Sequence, residues 1–197
     1  MRITLSAREH YDRLAELGHG WNDPPILRSY MSRWDGPPFF EMLGDLSEKD
    51  VLEIGVGAGR LARQVLGRGC RTLLGIDISP ATLIATEQAL ASHRTFRTAL
   101  ADICSFRRDN AFDVAYSVLT FMHVKDKLTA FRNIAASLRR GGRFVLSVDR
   151  ESPTLEFGDW RVHLYPWSPE QYVDARQVAG FTVTDCLAVV ASWMSPD

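Results

Sequence analysis

From Val51 onward the chain alternates two hydrophobic rhythms, and that alternation restricts its fold more than any other feature. The short β-type runs VLEIG, TLLGID, TFRTALAD, FDVAYSV and RFVLSV are each followed by an amphipathic or capped stretch. Such alternation predicts parallel strands joined by crossover helices, hence an open α/β sheet. The helix signals agree. Ser79 is placed to N-cap a helix with Pro80 at its first position and Leu83, Ile84 and Leu90 on one face. Asp126 precedes Leu128, Phe131, Ile134, Ala135 and Leu138 at helical spacing, with Arg139 and Arg140 suited to the dipole and Gly141 as the stop. Ser168 to Gln171 reads as a capping box, and Gly180 closes that helix before a last strand, FTVTD.

The opening residues behave differently, because β-type runs are absent there. Ser6 to Glu9 is a second capping box, opening a helix with Tyr11, Leu14 and Ala15 inward. Asp23-Pro24 opens another helix, where Ile26, Leu27, Tyr30, Met31 and Trp34 form a stripe read as core contact. The expected division is a helical cap over 1–45 and a sheet domain over 46–197. With 46% hydrophobic and 24% charged residues, the chain can bury a full core. Its 23 basic and 24 acidic residues leave a net charge of −1, which gives no electrostatic reason to expect nucleic acid or an anionic membrane as partner. The charged start lacks a signal peptide's apolar run, and no stretch approaches the ~20 apolar residues that span a bilayer. Cys70, Cys104 and Cys186 lie far apart without C-x-x-C spacing, as free thiols of a reducing cytosol would. A cytoplasmic location is the expectation.

The run Val51-Leu-Glu-Ile-Gly-Val-Gly-Ala-Gly-Arg60 sets three alternating glycines between a strand and a helix beginning near Ala58. Glycine permits positive φ and close approach of a ligand to backbone, and a helix start offers unpaired N–H groups. An ordinary tight turn has the same pattern, so the acids that follow matter. Asp77 ends the next β-type run, where an acid accepts hydrogen bonds from the ribose hydroxyls of a nucleotide-like ligand. Asp102 ends the third run beside the same crevice and suits an adenine amine. Glu53 lies inside the first strand, where a carboxylate is costly unless a cationic ligand or backbone donors relieve it.

Together, Glu53-x-Gly55-x-Gly57-x-Gly59, Asp77, Asp102, FDVAYSVLTFMHV and SLRRGGRFVLS resemble the class I S-adenosylmethionine-dependent methyltransferases of small-molecule type, over roughly residues 50 to 185. The resemblance implies a Rossmann-like, doubly wound, mostly parallel sheet, here with an N-terminal helical cap. It also implies S-adenosylmethionine as cofactor: the glycine loop along its methionine part, Glu53 near the ammonium, Asp77 on the ribose and Asp102 on the adenine amine. Ile78 and Ile103 would then wall the adenine, and Leu119 would border the transferred methyl. Two departures stand out. The stretch CSFRRDN is too short for a full crossover helix, and little chain remains for the family's terminal hairpin, so residues 154 to 165 are an alternative source of the last strand.

The family's reaction is an in-line methyl displacement, in which alignment matters most and a base is needed only for a protonated nucleophile. His123 and Tyr11 are the candidates for that role, against simple packing or covering of the cofactor. Trp21, Trp34 and Trp160 lie outside the sheet runs and are candidates for walls of an acceptor pocket, with stitching of cap to sheet as the alternative. No metal site is expected. The acceptor is an unidentified small molecule offering an O or N nucleophile. The rival readings are a non-catalytic cofactor-binding or scaffold domain and a nicotinamide-dependent oxidoreductase. The latter's third fingerprint glycine would fall on Arg60.

Overall fold

The computed structural model describes residues 2–19, 35–148 and 153–186. Strand β1 (Ile3–Leu5) and helix α1 (Ala7–Glu16) open the chain, followed by α2 (Pro37–Leu43). The five β-type runs then become β2 (Asp50–Ile54), β3 (Thr72–Asp77), β4 (Phe96–Leu100), β5 (Phe112–Val118) and β6 (Leu138–Ser147). They lie in the order β4-β3-β2-β5-β6, with every neighbouring pair parallel. The winding reverses between β2 and β5, and open α/β sheets carry their ligand crevice outside the carboxyl ends of such strands.

Alternate residues of the strands serve opposite cores. Val51, Leu73 and Val114 pack with α2, α3 (Arg60–Leu66) and α4 (Pro80–Ala89) on one face. Leu52, Leu74 and Ala115 pack with α5 (Lys127–Ser137) and α6 (Pro169–Val178) on the other. Helices on both faces make the sheet doubly wound. Four side chains cap helices where expected: Ser79 accepts from Thr82 N at 3.0 Å, Asp126 from Thr129 N at 3.0 Å, and Ser6 and Ser168 close full capping boxes. Residues 101–111 cross from β4 to β5 without a helix, as their shortness predicts.

Several expectations are corrected. The N-terminal segment is not purely helical: β1 pairs in parallel with β8 (Trp160–His163), which pairs antiparallel with β7 (Thr154–Phe157). Three residues carry no periodic signal, and β1 exists only through this distant pairing. Residues 154–163 therefore build a second small sheet and add nothing to the large one. Helix α5 ends at Ser137, so Arg139 does not serve its dipole; it bonds Asp50 Oδ2 at 2.8 Å and pairs with Asp113 Oδ2 at 2.9 Å, clamping β2, β5 and β6. The FTVTD run forms no strand over residues 181–185; Phe181 packs on Phe144 with ring centroids 5.8 Å apart. Helix α3 starts at Arg60, after Gly59, not at Ala58. The helix read from Asp23 onward, with Trp21 and Trp34, lies outside the described residues.

Candidate active site

A cavity of about 720 Å³ opens at the carboxyl ends of β2 and β5, with α1 as its roof. The glycine loop lies along its floor. Gly55 has φ 75°, and a Cβ there would come within 2.1 Å of Thr120 Oγ1, so the protein itself requires a bare residue. Gly57 has φ 50° and no atom closer than 4.0 Å to where its Cβ would stand, so its bareness leaves open room at the cavity.

Glu53 lines this cavity yet is only 3% exposed. Tyr116, its register partner on β5, donates its phenol hydrogen to Glu53 Oε2 at 2.7 Å. Burial pushes the carboxyl up to about 8, only partly opposed by that hydrogen bond and by Arg60. Oε1 has no hydrogen-bond partner among the described residues. Asp77 accepts from Gly57 N and Ser79 N, each at 3.0 Å, and so holds the glycine loop against the start of α4. Burial raises its pKa as well. Asp102 is exposed at the cavity wall and accepts from Cys104 N at 2.8 Å. Ile78 and the buried Ile103 line the space between these acids. Leu119 follows β5 with φ 54°, a left-handed conformation costly for a branched side chain, and its N–H is tied to Ser147 O at 2.9 Å.

Above the floor, Tyr11 Oη on α1 lies 2.9 Å from His123 Nε2. Burial lowers His123 to about 4, helped by nearby His10 and Lys127, and burial raises the Tyr11 phenol. His123 Nδ1 is buried without a hydrogen-bond partner among the described residues. Trp160 is buried behind the wall rather than in it, donating from Nε1 to His10 Nδ1 at 2.9 Å. His10 itself lines the cavity.

The fold thus gathers Glu53, Gly55, Gly57, Asp77, Ile78, Asp102, Ile103, Leu119, Tyr11 and His123 around one space, whereas Gly59 does not line it: a Cβ there would stand 2.9 Å from Thr86 and Leu90, so its bareness serves packing. Sequence reasoning missed Tyr116, Thr120 and His10, and also Asp35, which makes a buried bidentate pair with Arg60. A Glu53–Tyr116 bond follows from strand register alone, which no local pattern reveals. The site fits S-adenosylmethionine on its own chemistry: a buried carboxyl with one oxygen unpartnered among the described residues suits an ammonium group, and the space over Gly57 admits a chain close to backbone.

Residues 52–146 match the family described as methyltransferase domain. A ubiquinone biosynthesis O-methyltransferase of Nitrosomonas europaea is 26% identical over 72% of this chain and 63% of that protein. A tRNA U34 carboxymethyltransferase of a Shewanella species is 25% identical over 74% of this chain and 47% of that protein. The chain therefore spans between about half and two-thirds of the length of these curated relatives. In fold it is similar to an S-adenosylmethionine-dependent methyltransferase from Mesorhizobium loti, with TM-score 0.67, 21% identity and coverage of 77% of this chain and 84% of that one. Residues 52–146, just under half of the chain, thus match the methyltransferase-domain family, and the chain has the fold of an S-adenosylmethionine-dependent methyltransferase.

Proposed function

We propose that the protein transfers the methyl group of S-adenosylmethionine to an oxygen or nitrogen of a small molecule held between α1 and the β5–α5 connection. One observation carries this reading: a single cavity joins the carboxylates suited to the cofactor with the uncharged pair Tyr11 and His123. In this reading Glu53 takes the ammonium, Asp77 the ribose hydroxyls and Asp102 the adenine amine, with Ile78 and Ile103 against the base and Leu119 near the methyl. Residues 1–45 act as the cap over a catalytic domain of 46–197. The cofactor supplies a methyl group already activated on sulfur, so the chain contributes alignment and exclusion of water. Where the nucleophile is a hydroxyl, its proton moves to the Tyr11 oxygen as the Tyr11 proton moves to His123 Nε2. Burial keeps that imidazole neutral, and in its Nδ1–H tautomer Nε2 accepts from the Tyr11 hydroxyl and can take its proton. The net charge of −1 supports a small acceptor over tRNA, since phosphate binding draws on excess cationic charge.

The test is release of S-adenosylhomocysteine with a panel of small alcohols, phenols and amines, and with bulk tRNA. Turnover with a small acceptor is expected, and Tyr11→Phe and His123→Gln should each lower kcat about 100-fold while S-adenosylhomocysteine binds as before. Transfer confined to tRNA, or cofactor binding without turnover on any acceptor, overturns the reading.

A further inference from the structure

The half of the cavity that the cofactor groups do not claim is lined by Leu14, Met122, Leu155, Phe157 and Tyr165, and three histidines, His10, His19 and His123, also line the cavity. Several charges on the elements that build it are engaged elsewhere. Arg13 pairs with Asp159 at 3.2 Å and lies 4.3 Å over Trp160. Asp12 accepts from Ser79 Oγ at 2.6 Å, and Glu156 pairs with Arg2. Buried Lys127 donates to the carbonyls of Val124 and Tyr165. Lys125 and Asp126 also line the cavity, but on the Asp102 side, where Cys104 Sγ meets Asp126 O at 3.5 Å.

Two of these rings, His10 and His123, carry no charge at neutral pH. The Trp160 indole can only donate, so His10 Nδ1 must be the ring's bare nitrogen, and the hydrogen sits on Nε2. Nε2 has no partner among the described residues, and the ring forms part of the wall. Burial holds both His10 and His123 near 4, so neither offers a counter-charge at neutral pH. An anion seated between His10 and His123 would lose its water and gain no cation from either ring. A neutral oxygen would gain a fixed donor.

Resting on the methyl-transfer reading above, we propose that the acceptor is an uncharged, largely apolar hydroxyl compound, and that His10 Nε2–H anchors it through a second oxygen. Trp160 is the positioning residue that fixes the His10 tautomer. The site therefore disfavours phosphorylated and carboxylated analogues, which present the same carbon frame with a charge that neither His10 nor His123 balances.

Matched probes test this by calorimetry on protein saturated with S-adenosylhomocysteine: methyl para-hydroxybenzoate against para-hydroxybenzoate, and naphthol against naphthyl phosphate. The neutral member of each pair should bind at least about tenfold tighter, the scale of one buried hydrogen bond or an uncompensated charge. His10→Phe should erase most of the ester's affinity, while His10→Gln, which keeps a donor, should retain it within about threefold. In both variants S-adenosylhomocysteine should bind unchanged. Nitrogen NMR should show His10 as the Nε2–H tautomer in the native protein and a mixture in Trp160→Phe. Equal or tighter binding of the anions, no binding of either member at millimolar concentration, an Nδ1–H tautomer, or indifference to His10→Phe overturns the proposal. These outcomes are separate from turnover itself, which decides whether the protein is a methyltransferase on small molecules at all.

Discussion

Glu53 shows how much one residue's ionisation can govern here. Its carboxyl is shifted up to about 8 from an ordinary 4.5 because burial disfavours the charge, while an ammonium beside Oε1 would restore it. Cofactor affinity should therefore rise as pH increases from 7 to 8.5, with proton release on binding at the lower pH, measurable by calorimetry in buffers of different ionisation enthalpy. Glu53→Gln should weaken S-adenosylmethionine by about tenfold or more and methylthioadenosine, which lacks the amino acid end, by much less. Equal losses would make Glu53 a fold residue, a partner of Tyr116 and nothing more. In the sequence Glu53 was legible as an anomaly, since a carboxylate stood inside an apolar strand. Its relief by Tyr116 was not, because the two meet only through the register of β2 with β5.

At the scale of elements, the glycine loop and α1 are the parts whose geometry the site depends on. Gly55→Ala would drive a methyl group to 2.1 Å from Thr120 Oγ1 at φ 75°, so the loop must move. Such a clash costs about 1–3 kcal/mol and should abolish tight cofactor binding; Thr120→Ala in the same chain should recover part of both, read by melting and calorimetry. No recovery would place the damage in backbone conformation rather than in the contact. Helix α1 is held by the Ser6–Glu9 box at one end and by Asp12 on Ser79 Oγ and Ala81 N. Ser6→Ala should cost about 1 kcal/mol of stability and, by loosening the helix that carries His10 and Tyr11, raise an acceptor's KM more than the cofactor's. The caps were readable because capping is local chemistry. Strand β1 was not, since its three residues pair with a strand over 150 positions away.

The whole molecule responds to pH through groups of opposite sign. His10 and His123 have folded pKa values lowered to about 4 from 6.5, so their contribution is present above 6.5 and is lost as pH falls through that window. Glu53 is raised to about 8 from 4.5, so the native state binds the extra proton and stability falls as pH climbs toward 8. Between 4.5 and 6.5 the two histidines outweigh the one carboxyl; above 6.5 only Glu53 remains of these three. The unliganded protein should thus melt highest near pH 6.5, and Glu53→Gln should flatten the alkaline limb while leaving the acid limb in place. A melting temperature still rising at pH 8 would contradict the assignment. The alternating strands and helices, the doubly wound parallel sheet, the glycine loop and the acids at the end of β3 and just beyond β4 are legible in the amino-acid order alone, because periodicity, capping and turn chemistry are encoded within a few neighbouring residues. It took the packed molecule to bring residues 3–5 and 154–163 into a second sheet beside the cavity, Tyr116 onto Glu53, Trp160 behind His10 and Tyr11 to His123. Those pairs lie 63, 150 and 112 residues apart, and their meeting depends on which faces pack together, a property of the folded chain and of no segment in it.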